Sequence, residues 1–99
     1  MKAIKISILG AEYEISQAAE EKDAELKTCR GYCKFDDKKI VIDKDYDKTR
    51  KSHTVRHEII HAFLHESGLK QYSYDETLVD WIAMQCPKML QAFKAAKCL

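Results

Sequence analysis

The four histidines of this chain, His53, His57, His61 and His65, follow one another at intervals of four residues. Residues His57-Glu58-Ile59-Ile60-His61 form an HExxH pattern. On a helix, residues i and i+4 share a face one turn apart, so both imidazoles can reach one ion. Zn2+ accepts neutral imidazole nitrogen in tetrahedral geometry. Glu58 lies about 100° round the helix from His57 and between the two histidines along the axis. Its carboxylate can reach a water at the ion without ligating the ion itself. That is the layout of metal-assisted hydrolysis: the ion acidifies the water and the glutamate takes its proton. The pattern falls in the most apolar helical segment of the chain, where imidazoles and a carboxylate need partners.

A catalytic zinc takes three protein ligands. His65 is the nearest candidate, but His57 and His65 are about 12 Å apart along a straight helix. Bonds near 2.1 Å do not converge over that length. His53 fails in the same way on the other side, so both read as polar residues on the rim of the helix, with support of a metal ligand or contact with substrate as the alternative role. Glu76 and Asp80, in a C-terminal helix, remain. With Glu76 at 0°, Val79, Ile82, Ala83, Cys86, Met89, Leu90 and Phe93 centre near about 280°. Glu76 is then about 80° and Asp80 about 120° from the buried face, so Glu76 is better placed and Asp80 more exposed. Ser73 and Glu76 also have capping-box spacing, the competing role for Glu76. Mn2+ or Fe2+ also suits a set of two histidines and a carboxylate.

The elements that position these residues are legible as patterns. Residues 4–8 and 12–16 alternate with period two around Gly10, a β-hairpin. Residues 17–28, rich in Ala, Glu and Lys, suggest a short helix with a thin apolar face. A second hairpin pairs Gly31–Phe35 with Lys39–Asp43 across Asp36-Asp37. The central helix runs from about Thr49 to Ser67, with Asp47 or Thr49 as cap and Gly68 as the C-terminal stop. Val55, Ile59, Ala62 and Phe63 share one side of it, Ile60 and Leu64 another. A last helix runs from Tyr74 to about Lys97, kinked or interrupted at Pro87.

Composition sets the frame. Ninety-nine residues allow one domain, and 17 basic against 16 acidic residues give a net charge of +1. A general nucleic-acid binder needs a basic field, so nucleic acid is not the expected partner. No apolar run reaches the roughly 18 residues of a membrane span. Lys5 interrupts the apolar N-terminal stretch and no small-residue cleavage site follows, so the expected location is cytoplasmic. There Cys29, Cys33, Cys86 and Cys98 read as small buried thiols rather than bridges.

Residues 57–68 with 75–83 resemble the ImmA/IrrE-type zinc metallopeptidases, gluzincin-like domains common in phages and prophages. The likeness extends over about 30–97 and more loosely over 1–29. It implies His57, His61 and Glu76 as metal ligands and Glu58 as general base. It implies a peptide substrate lying along an edge strand, which would be Lys39–Asp43, and a phage or mobile-element regulator as target. The chain has no helix-turn-helix of its own and only a faint echo, Cys86-Pro87-Lys88-Met89, of the family's Leu-Leu-Met-Pro ending. Tyr72 and Tyr74 are candidate oxyanion donors.

The expected fold is therefore α+β and zincin-like, a single domain over 1–99. About four antiparallel strands would pack on the HExxH helix, with a ligand-bearing C-terminal helix beside it. The expected function is zinc-dependent endopeptidase. The alternatives are a zinc-stabilised interaction module without catalysis and a metal-free interaction protein.

Overall fold

Ile4, Ile6 and Ile8 alternate with polar residues, and the computed structural model, which describes residues 3–99, makes them strand β1 (Ile4–Ile8). Leu9 and Gly10 both take positive φ, 51° and 88°. That is the two-residue reversal whose twist matches an antiparallel hairpin. It sets Ile8 opposite Ala11 and starts β2 (Ala11–Ala18). β3 (Gly31–Lys34) and β4 (Lys39–Asp43) form the second hairpin, with Lys38 at φ 54° closing its turn.

The two hairpins join in a way the alternation does not reveal. β2 pairs with β4 in parallel, Glu14 opposite Lys39, so the strand order is β1-β2-β4-β3. The sheet is mixed rather than wholly antiparallel. This also corrects the expected substrate edge: Lys39–Asp43 has a strand on each side, and β3 is the free edge on that flank. The crossover contains two 3₁₀ turns, Glu20–Lys22 and Ala24–Lys27, in place of the helix expected over 17–28. Leu26 is the only buried residue of either turn, too little apolar surface to hold a longer helix in place.

The core lies between one face of the sheet and helix α1 (Lys48–Glu66). Ile8, Tyr13, Ile15, Ile40, Ile42 and Ala62 form it, with Val55 and Ile59 packed against them. Asp47 caps α1 by accepting from the Arg50 amide at 2.9 Å. Gly68, at φ 80°, ends it, with the Leu69 amide returning to the Leu64 carbonyl. Glu66 at the far end of α1 accepts from the buried Tyr13 hydroxyl at 2.6 Å and from Lys38 at 2.8 Å. That pair ties the helix to both hairpins.

A short turn, α2 (Lys70–Ser73), leads into α3 (Glu76–Ala95). The cap of α3 is Asp75, accepting from the Leu78 amide, so the Ser73–Glu76 capping box does not form. α3 also runs unbroken through Pro87. Proline has no N–H to give the carbonyl four residues back, which belongs to Ala83. Arg56 of α1 supplies the missing donor, its Nε lying 2.9 Å from that carbonyl. The apolar face of α3 is covered only at its start: Val79 and Ala83 are buried, while Leu90 and Phe93 are exposed. Phe63 is exposed too, and so are Cys29 and Cys98, against the expectation of buried side chains. All four cysteines are free thiols. Among the described residues no helix is long and apolar enough to cross a membrane.

Candidate metal centre

α1 and α3 lie side by side, and their polar faces meet as a ladder. His53, His57 and His61 climb α1 one turn at a time. Asp80 and Glu76 descend α3 opposite them. Glu76 reaches two imidazoles, with Oε2 2.9 Å from His57 Nε2 and Oε1 3.0 Å from His61 Nε2. Asp80 also reaches two, with Oδ1 2.8 Å from His53 Nε2 and 3.1 Å from His57 Nδ1. His57 is common to both rungs.

The partners of the remaining ring nitrogens differ between the rungs. His61 Nδ1 lies 2.6 Å from the Ser73 carbonyl, which can only accept, so that nitrogen carries the proton. His61 is nearly buried, and burial pushes its pKa down, which keeps the ring neutral. Its Nε2 therefore presents a lone pair. His57 lies between two carboxylates, Asp80 Oδ1 3.1 Å from Nδ1 and Glu76 Oε2 2.9 Å from Nε2, so with its proton on Nδ1 it can offer Nε2 to an ion. The two Nε2 atoms are 3.1 Å apart with Glu76 closing the triangle. Three potential ligand atoms thus converge, close enough to one another to hold one cation. Ligands about 2.05 Å from a tetrahedral ion stand about 3.3 Å apart, close to these separations. The residues present fit a divalent metal such as Zn2+. The ligand atoms of His53, His57 and Asp80 also lie close enough to hold an ion, but one Asp80 oxygen can satisfy both imidazoles by accepting two N–H donors.

Glu58 sits beside the upper rung, only 7 % exposed. Burial pushes its carboxyl up to about 7; His57 opposes the rise and Glu76 adds to it. A proton can enter and leave such a group near neutrality. Its burial follows from the helix: Glu58 lies between the core residues Val55, Ile59 and Ala62 and the histidine face.

These groups line a groove of about 540 Å³. α1 forms its floor, β3 one wall, and Ser73, Tyr74, Glu76 and Asp80 the other. Gly31 lets β3 approach. A Cβ there would stand 2.8 Å from Thr54 Cγ2 on α1 and 2.9 Å from the Val41 carbonyl. Any side chain at this position would lever β3 off the helix. Cys33 faces the same groove, and burial, with the charges of Glu58 and Glu66, pushes its thiol up to about 12.

The sequence-derived candidates fall into place unevenly. His57, His61 and Glu76 come together, and Glu58 lines the groove beside them. His65 stacks face to face on Phe35, ring centroids 4.1 Å apart, with no part in the ladder. His53, on the rim of the helix, bonds Asp80 at 2.8 Å. Asp80 is a correction: its side chain is 47 % exposed against 69 % for Glu76, the reverse of the angular expectation. Of the two tyrosines, Tyr74 lines the groove and Tyr72 does not. Ser73 was legible only as a helix cap, whereas its carbonyl fixes the tautomer of His61. No protein-family model, curated protein or solved structure matches this chain. The resemblance to ImmA/IrrE-type peptidases thus rests on the quoted residues alone.

Proposed function

We propose that this chain is a zinc-dependent endopeptidase with a zincin-like site, acting on an extended segment of a protein. The observation that carries the reading is the convergence of His57, His61 and Glu76, with ligand atoms close enough to share one ion, next to the buried carboxyl of Glu58 in one open groove. His57, His61 and Glu76 would hold the ion. When bound, it supplies a Lewis acid that acidifies a water and polarises a peptide carbonyl.

The chain's own residues do the rest. Glu58 takes the proton of the attacking water and returns it to the departing amine, which suits a carboxyl that titrates near neutrality. The vacant edge of β3 offers backbone N–H and C=O groups to an extended peptide, and the substrate adds to the sheet as a further strand. Tyr74, on the opposite wall, is the candidate donor to the developing oxyanion.

Glu58→Gln tests the reading. It keeps the shape and removes the base. Cleavage of a peptide library by the zinc-loaded protein should fall by about 10²–10⁴-fold, with metal content unchanged. Wild type and Glu58→Gln that both bind zinc and cleave nothing would reject catalysis. The metal would then be a staple between α1 and α3, the non-catalytic alternative.

A further inference from the structure

We propose that the chain carries a second ligand site, on the far side of α1 from the histidines, which takes a small anion with an apolar body, such as a medium-chain carboxylate. The site is a groove of about 500 Å³ where the first turns of α1 meet β2 and β4. No residue lines both this groove and the histidine-lined one, so the proposal stands apart from the metal reading.

The floor of the groove is apolar. Ile42 of β4, almost wholly buried, stands opposite Gln17 of β2 in the parallel register. Val55 closes the floor from α1, about 160° round that helix from His57. β2 ends at Ala18 and β4 at Asp43, so the groove lies at the carboxyl ends of the two parallel strands. In open α/β sheets the crevice at that end is where ligands bind.

Lys48, Lys51 and Arg56 stand round this floor, and no carboxylate lines it. Among the described residues none of the three has an ion-pair partner, whereas Lys34 and Lys38 each meet a glutamate at 2.8 Å. The first turn of α1 holds no acidic residue, although the helix dipole favours one there. Lysines in that place work against local stability, a conflict that marks functional surfaces. Arg56 is already fixed, because its Nε donates to the Ala83 carbonyl. Its two terminal nitrogens are left to donate to a ligand. A wholly polar anion would leave Ile42 and Val55 uncovered, and a neutral hydrocarbon would leave three cations unanswered. An anion with an apolar tail answers both, and the volume suits a small molecule.

The test titrates decanoate, below its micelle concentration, into the isotope-labelled full chain and follows the backbone amides by NMR. Amides of residues 48–56 and of Gln17 should shift and saturate, and Glu76 should not move. Octanoate should bind about 15-fold more weakly, the cost of two buried methylenes. Lys48→Glu with Lys51→Glu should weaken decanoate by more than about tenfold, since like charges then face each other. That pair suits the helix dipole, so the variant should fold and melt no lower than wild type. Equal affinity in the folded variant overturns the proposal, and so does equal binding of a neutral decyl glycoside. Equal affinity for octanoate and decanoate overturns the apolar floor. Shifts centred on His57, His61 and Glu76 overturn the location, because the carboxylate would then sit at the metal centre. No response to decanoate overturns the proposal outright. If an acidic peptide then moves the same amides, the groove is a protein-docking surface instead.

Discussion

The two rungs between α1 and α3 are built from the same parts and do opposite things. Each sets one carboxylate between two imidazoles one helical turn apart, at separations of 2.8–3.1 Å. At the Asp80 rung both nitrogens bring hydrogens, so the charge is answered within the protein. With the proposed ion in place, the Glu76 rung would keep its hydrogens on the far side of each ring, toward Ser73 and Asp80, and offer both Nε2 atoms to the metal. On the proposed reading, residue type does not decide which cluster takes the metal; the partner on the other nitrogen does.

The strongest way to break this contrast is to remove one histidine from each end. His61→Ala should lower zinc affinity by more than about 100-fold, beyond what loss of an outer partner costs. His53→Ala should stay well short of that, and equal losses in a chelator-competition assay would erase the distinction. Chelation probes the same contrast through stability. Zinc at 100 times its Kd adds about 2.7 kcal/mol. At about 4–8 °C per kcal/mol, its removal should lower the melting temperature by more than about 10 °C. A scan unmoved by chelator would mean that no bound ion helps to hold the helices together.

A third bridge sharpens the comparison because it uses neither rung. Arg56 answers the Ala83 carbonyl left without a donor by Pro87. Arg56→Met should destabilise by about 1–3 kcal/mol, the cost of a buried unpaired carbonyl. Adding Pro87→Ala should recover most of it, since an alanine amide can close that bond. An additive double mutant in urea unfolding would sink the link. The smallest effect lies at the far end of α1. Lys38 and the Tyr13 hydroxyl hold the Glu66 carboxyl below the usual carboxylate range. That contribution is present above the ordinary carboxylate pKa and is lost as pH falls through the depressed value. Glu66→Gln should flatten the acid limb of unfolding while leaving zinc affinity untouched. A loss of affinity would show that the two ends of α1 are coupled.

How much of this was legible in the sequence follows the range of each interaction. The HExxH spacing, both hairpins and α1 came from local periodicity and local caps. The parallel β2–β4 pairing did not, because alternation marks which face of a strand is buried and says nothing about its neighbour. That gap misplaced the free edge at Lys39–Asp43. Asp80 was misjudged for a related reason. Helical angles measure distance from the apolar centre of α3, but α3 packs on the histidine face of α1, and both of its carboxylates meet that face. Pro87 looked like a break because its remedy, Arg56, lies on another helix. Ser73 acts through its carbonyl, which no side-chain pattern records.

The parallel joint in the sheet also has a bearing on how the chain folds. Each hairpin closes over a few residues and can form early, whereas Glu14 meets Lys39 only after the whole crossover has been looped. Joining the hairpins is then the slow, non-local step. Before it, both β2 and β4 offer open edges to other chains. The groove wall hangs from β4 and the core beneath α1 draws on both hairpins, so the histidine-lined groove with its proper shape is a late product of folding. Zinc added during refolding should speed its completion little and slow its reversal much.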